Sequence, residues 1–274
     1  MGFRYNGSVN TPSEGKQPSA LRKLWTAYTN VSRSPQRGFI AEWTVTIVVL
    51  LFVTTNIAQA FVIPSASMES TLLVGDHLLV DKLTYSPDGA VSKHLLPYRA
   101  VRRGDVIVFR YPLNIKVDYV KRAIGIPGDH IRFFNKRLML NGHFVEEPYA
   151  QHVSGYTEPY RDNFPSSPYS GLRPEAREML QNHVVDCDLV VPPNYIFAMG
   201  DNRENSDDSR FWGFVPMENI EGTPLVIYWS FDAPESDLSN GNIGFDHIVD
   251  VVVHFFSKTR WTRTFRMVHG YDLK

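Results

Sequence analysis

Residues 43–68 carry no formally charged side chain, and within them residues 44–63 read TVTIVVLLFVTTNIAQAFVI, about the twenty residues needed to cross roughly 30 Å of hydrocarbon. That length favours a transmembrane helix over the core helix of a soluble domain. The run lies too far from the start, behind a long polar stretch, for the short apolar region of a cleaved signal peptide, so retention is expected. Asn56 and Gln59, one turn apart near its outer end, belong at the interface or against protein. Before it stand Arg4, Lys16, Arg22, Lys23, Arg33 and Arg37 against Glu14 and Glu42. The positive-inside rule then puts residues 1–42 in the cytoplasm, a single helix over 43–62 across the cell membrane, and everything from 63 to 274 on the outer, extracytoplasmic face. Composition predicts disorder to about residue 20, and residues 21–31 read as a short interfacial helix.

The exported part has material for a large core, since 43% of the chain is apolar. Its formal net charge of -1 and pI near 6.8 make no general case for nucleic acid. The single cysteine, Cys187, can form no internal disulfide, and its neighbours Asp186 and Asp188 oppose a reactive thiolate.

Directly after the apolar run, residues 63–75 read IPSASMESTLLVG. Pro64 disfavours helix at Ile63 and should end the preceding one. Ser65, Ser67 and Ser70 crowd the opened stretch, and Ser67 is the candidate nucleophile. A hydroxyl needs a base. In residues 117–126, VDYVKRAIGI, alternation puts Tyr119, Lys121 and Ala123 on one strand face and Val120, Arg122 and Ile124 on the other. Apolar neighbours desolvate Lys121, which lowers the pKa of its amine as a base near neutral pH requires. His77 is the rival base of a Ser-His-Asp reading, but no serine has a GxSxG setting, and an SxxK occurs only at Ser13 to Lys16 in the tail.

Strands are expected at residues 77–83, 105–110 (DVIVFR), 117–126, 188–192, 194–199 and 222–231, with a hairpin in 131–145 turning at Asn135-Lys136 and Asn141-Gly142. The fold class is therefore mainly β, an antiparallel catalytic domain with a small inserted subdomain at about 147–186, where Tyr, Pro, Ser and Gly abound and 173–181 reads as one short helix. Residues 200–213, GDNRENSDDSRFWG, fail the calcium-loop pattern because Arg203 and Ser206 fall at its third and sixth places. The end of the chain runs apolar and aromatic residues into Lys258, Arg260, Arg263 and Arg266. It reads either as a surface on anionic headgroups or as a covered final strand with solvated arginines.

In their order, PSASM with Thr71 and Leu72, GDVIVFRYP, DYVKRAIGIPGD and GDNRENSDDSRFWGFVP resemble the boxes of the type I signal peptidases, Ser/Lys endopeptidases that remove signal peptides from exported preproteins. The resemblance covers residues 64–222 and implies Ser67 as nucleophile and Lys121 as general base. It implies Ser65 as an oxyanion donor with the N–H of Ser67, Ser206 orienting Lys121, and Asp208 with Arg210 as a supporting ion pair. Ile63, Met68, Leu72, Tyr119 and Val120 would line shallow apolar pockets that take small residues, Ala-X-Ala in type, before the cut. The partners implied are signal peptides and the lipid bilayer; no metal or cofactor is implied. One departure stands out: Glu69-Ser70 occupies the place where a proline commonly precedes Thr71.

Overall fold

The computed structural model describes residues 20–32, 39–85, 99–166, 171–239 and 245–273. The polar tail before residue 20, residues 86–98 and residues 240–244 lie outside the described residues. By compactness the chain divides into residues 1–52 and 53–274.

The described residues of the first unit are helical, with α1 over Ala20–Ser32 and α2 over Phe39–Asn56, which runs on past residue 52. α2 is long and apolar enough to cross a membrane by length and composition, and none of its residues is buried. It starts earlier and stops sooner than the expected span of 43–62. Thr54, Thr55 and Asn56 are poor helix formers, and residues 58–62 have a better partner for their backbone groups. They form strand β1 (Ala58–Val62), paired with β2 (Asp76–Asp81) from Ala58 opposite Asp81 to Val62 opposite His77. Gln59 accepts a hydrogen bond from Lys82 Nζ at 3.1 Å.

Beyond β2 the chain lays down β3 (Val106–Tyr111) and β4 (Asn114–Gly125), then β5 (His130–Phe134), β6 (Arg137–Leu140), β7 (His143–Phe144), β8 (Val184–Val185) and β9 (Asp188–Val190). β10 (Tyr195–Met199), β11 (Val215–Pro216), β12 (Ile220–Ser230) and β13 (Arg266–Met267) complete it. One sheet has eight strands in the order β1-β2-β12-β3-β4-β10-β11, with β13 also on β12; a second has five in the order β7-β6-β5-β9-β8. Among the described residues every pairing between these strands is antiparallel.

β3 explains why its sequence is apolar without alternation. Val106 and Val108 join a core with Ile63, Met68, Leu72, Leu78 and Val80, whereas Ile107, Phe109 and Tyr111 face a second core with Ala123, Ile196 and Trp212. A strand covered on both faces reads as a continuous run. β4 changes along its length, exposed from Asn114 to Asp118 and buried from Lys121 to Gly125.

The hairpin expected in 131–145 is not separate from the segment expected as an insertion at about 147–186. Its Ile131, Phe133, Leu138 and Leu140 pack in one core with Tyr160, Phe164 and Met179, and with Ile124, Phe197 and Met199 of β4 and β10. Asn135 and Lys136 both take positive φ, 46° and 71°, as a two-residue hairpin turn demands. The expected short helix is Pro174–Asn182.

The C-terminal segment is neither a long strand nor a free basic face. A helix, Phe245–Lys258, precedes the two-residue β13. Lys258 pairs with Asp250 at 2.8 Å, Arg260 with Asp232 at 2.7 Å and Arg263 with Asp76 at 2.5 Å. Phe256, Trp261 and Phe265 remain more than half exposed.

Candidate active site

Ser67 sits in a single 3-10 turn, Ala66–Met68, entered through the extended Ser65. Lys121 reaches it from β4: the two groups share a hydrogen bond of 2.6 Å between Nζ and Oγ. Both residues are buried, the lysine to 4% exposure and the serine to 8%. Burial pushes the amine down from its ordinary value to about 8, against the opposing pull of Asp208, Asp207 and Asp201. A neutral amine in this position can accept the hydroxyl proton and leave Oγ free to attack a carbonyl. Strand alternation sends the adjacent Arg122 the other way, into a fully buried pair with Asp201.

A cavity of about 480 Å³ opens on this pair, lined by residues 61–68 and 117–121 together with Asn205, Asp207 and Glu235. Ile63, Met68, Tyr119 and Val120 are on its wall. Leu72 is not: it is fully buried among Met68, Leu78 and Val80. Leu72 N–H donates to the carbonyl of Met68 at 2.8 Å, which tightens the loop after the serine and draws Leu72 behind Met68 rather than beside it.

Ser65 Oγ lies 3.5 Å from Ser67 Oγ, beyond the ordinary O–H···O range. Ser206 does not orient Lys121 by a direct bond. Its hydroxyl accepts from Gly200 N–H at 3.2 Å and bonds Asp208, and no bond from it to Lys121 exists among the described residues. Asp208 and Arg210 pair as expected, Nη2 to Oδ2 at 2.8 Å and Nε to Oδ1 at 2.9 Å. Burial alone would raise the Asp208 carboxyl, but the Arg210 charge and hydrogen bonds outweigh it and hold it below the usual range. His77, the rival base, stacks on Trp229 with centroids 4.6 Å apart and does not line the cavity.

Residues 36–229 match the family described as signal peptidase, peptidase S26. The chain belongs to the signal peptidase family. The signal peptidase I of Aquifex aeolicus is 38% identical over 231 residues, which cover 72% of this chain and 86% of the relative. That of Pseudomonas aeruginosa is 32% identical over 256 residues, covering 86% and 84%. A solved signal peptidase I from Enterococcus faecalis is 30% identical over 46% of this chain and 97% of the other, but its TM-score of 0.34 is too low to bear on the fold. The family makes the chain a serine peptidase of the signal peptidase I type.

This signal peptidase has a support beneath the serine turn that motif reading did not assemble. Arg122 grips Asp201 through Nε and Nη2 at 2.8 and 2.6 Å and donates from Nη1 to Gly104 O at 2.7 Å. Thr71 Oγ1 donates to the same Asp201 at 2.5 Å, so the serine loop, β4 and the end of β10 meet at one carboxylate. The available signal was Arg122 itself, since an arginine on the inner face of a strand needs a buried anion. Asn202 N–H donates to Ser67 O at 3.1 Å and its side-chain amide to Ala66 O at 3.3 Å. Gly200 allows this approach: a Cβ there would stand 2.4 Å from Ser67 O and 2.3 Å from Ser206 Oγ. Ser70, in the place of the usual proline, has φ 89° and donates from Oγ to Tyr149 O at 2.5 Å.

Proposed function

We propose that this chain is a membrane-anchored endopeptidase that removes N-terminal signal peptides from exported preproteins after small residues, with Ser67 as nucleophile and Lys121 as its base. The observation that carries the reading is the 2.6 Å contact between a buried amine and a buried hydroxyl at the wall of an open cavity. Lys121 takes the Ser67 proton as Oγ bonds to the scissile carbonyl carbon. The carbonyl oxygen becomes an oxyanion, which the Ser65 hydroxyl and the Ser67 N–H stabilise by hydrogen bonds. The lysine ammonium then gives its proton to the leaving amine, and the C–N bond breaks to an acyl-enzyme. Water, deprotonated by the regenerated neutral Lys121, releases the signal peptide as a free acid and restores Ser67.

Selectivity for small residues follows from shallow walls of Ile63, Met68, Tyr119 and Val120, which overlap with anything much larger than a methyl group. Leu72 serves by backing Met68. Ser206 acts on the lysine through Asp208, whose charge favours the ammonium that forms during the reaction. In this reading α2 crosses the cell membrane with the basic N-terminal side in the cytoplasm, and the β-rich unit works on the outer face. Anchoring enzyme and substrate in one bilayer raises their effective concentration.

The test is cleavage of a preprotein by the detergent-solubilised full chain. The wild type should yield the shortened product. Ser67→Ala and Lys121→Ala should each abolish it, whereas activity surviving in the lysine variant and lost in His77→Ala would overturn the assignment of the base.

A further inference from the structure

The side chains that narrow the cleft are not all held in the same way. Ile63 and Met68 are buried members of one core and Val120 packs against it, whereas Tyr119 packs against the other core, with Phe109, Tyr111 and Trp212. Tyr119 is half-buried, lines the cavity and makes no hydrogen bond among the described residues, so packing alone decides where its ring stands. The centre of that ring is 5.3 Å from Lys121 Nζ. Its position therefore sets the width of the cleft close to the reacting pair.

Tyr111 is what this ring rests on. The two rings stack with centroids 4.5 Å apart and planes 12° from parallel, close to the arrangement aromatic pairs favour. Regular strand pairing does not account for the contact, since Tyr119 lies opposite Phe109 and the register of β3 and β4 shifts between Arg110 and Tyr111. Phe109 itself meets Tyr119 only edge-on, at 6.3 Å. Tyr111 is in turn fixed from behind by the fully buried Trp212, edge-on at 5.6 Å and 84°. A row of three rings thus runs from the short helix Ser209–Trp212 to the cavity wall, and Tyr111, its middle member, does not line the cavity. The Tyr111 hydroxyl is buried with no partner among the described residues, which opposes stability. The ring, not the hydroxyl, holds Tyr119.

We propose that Tyr111 is a positioning residue that keeps the cleft selective for small side chains by holding the Tyr119 ring against it. The inference rests on the function proposed above and adds to it a residue outside the cavity. Without an aromatic ring at position 111, Tyr119 can settle back from the cleft, which then has room for a branched side chain. A methylene group in an apolar pocket changes discrimination by roughly 10- to 200-fold, so a small retreat of the ring is readable.

The experiment uses the full chain in detergent and preproteins with one Ala-X-Ala site, or with valine in place of the first or the third residue before the cut. The ratio of kcat/KM for alanine to that for valine is read for each position; in the wild type it should be about 100. Tyr111→Leu, which stays apolar but cannot stack, should narrow the ratio about tenfold at one of the two positions. Tyr111→Phe, which keeps the ring and loses the unpartnered hydroxyl, should retain the wild-type ratio. Phe133→Leu, a similar loss in the other core, should lower the urea midpoint without moving the ratio. If Tyr111→Leu does not fold, Tyr111→Met carries the same expectation. A leucine or methionine variant with the wild-type ratio at both positions, a phenylalanine variant as permissive as the leucine one, or equal narrowing in Phe133→Leu would each overturn the proposal. Failure of the wild type to cut the alanine preprotein would instead overturn the proposed function, and is distinguished from cutting it with a ratio that no variant moves.

Discussion

In the proposed mechanism Lys121 is the residue whose charge the chemistry depends on, and burial sets where that charge changes. Its amine is held at about 8, so below that pH it is an ammonium that cannot take the Ser67 proton. kcat/KM should rise about tenfold per pH unit from the acid side and level off near 8. A flat profile through the acid and neutral range would refute a lysine base, and Lys121→Arg should be inactive because a guanidinium does not deprotonate. The sign for stability follows from the same shift. Between about 8 and 10.5 the unfolded chain binds a proton at this lysine that the folded chain does not, so stability gained from it rises with pH across that window. Denaturant midpoints of the wild type minus those of Lys121→Met, measured across it, should carry that slope. At Asp208 the outcome concerns folding: Arg210→Ala leaves a fully buried carboxylate without its partner. That should cost about 3 kcal/mol or more in urea unfolding. The pairing of Lys121 with Ser67 was legible in residue type, and that Lys121 and Arg122 point to opposite sides could be read from strand period. Leu72 and Ser206 could not, because which way each turns depends on contacts with Met68 and Asp208 that one-dimensional spacing leaves open.

At the scale of elements, the serine turn and the end of β10 are fitted to each other through backbone atoms. Gly200→Ala puts a methyl group 2.4 Å from Ser67 O, a backbone atom that can yield only by moving the turn. A displacement on the order of an ångström of Ser67, the proposed nucleophile, should lower kcat by about 100-fold, with far-UV circular dichroism unchanged. Ser70 makes the opposite point about an expected residue. With φ at 89° this position excludes a proline ring, whose φ is fixed near -65°. Ser70→Pro, although it restores the common motif, should destabilise the chain by more than about 1 kcal/mol and slow cleavage; a variant as stable and active as the wild type would show that the turn is freely remodelled. Nothing local in the sequence announces this turn, because the acceptor of the Ser70 hydroxyl is Tyr149 in the inserted unit. The boundaries that sequence reading misplaced have the same cause. α2 stops at Asn56 because β2 offers residues 58–62 a ladder, and the hairpin of β5 and β6 joins the segment after residue 147 because they share a core. Periodicity identifies an element; its partner decides where it ends.

On the scale of the whole molecule, the two sheets and the C-terminal segment converge on the loop after Ser67. Arg203 ties the polar cluster to Glu147 of the inserted unit at 2.8 and 2.5 Å, and Arg260 and Arg263 reach Val74 O and Thr71 O at 2.8 and 3.0 Å. Arg263 also neutralises the fully buried Asp76, which in turn accepts from Ser230 Oγ at 2.6 Å. Arg263→Ala should therefore lower stability by about 3 kcal/mol and reduce kcat along with it, read by urea unfolding and by cleavage in parallel; an unchanged midpoint would mean that the pair is dispensable. Composition alone placed these arginines on the outside, since solvated cations are the usual case for a basic chain end. Their order in the chain has a consequence for biogenesis. A ribosome releases the hydroxyl-bearing turn long before it has made the guanidinium groups that clamp it, so a nascent chain carries that turn on an unbraced loop until Arg260 and Arg263 have followed.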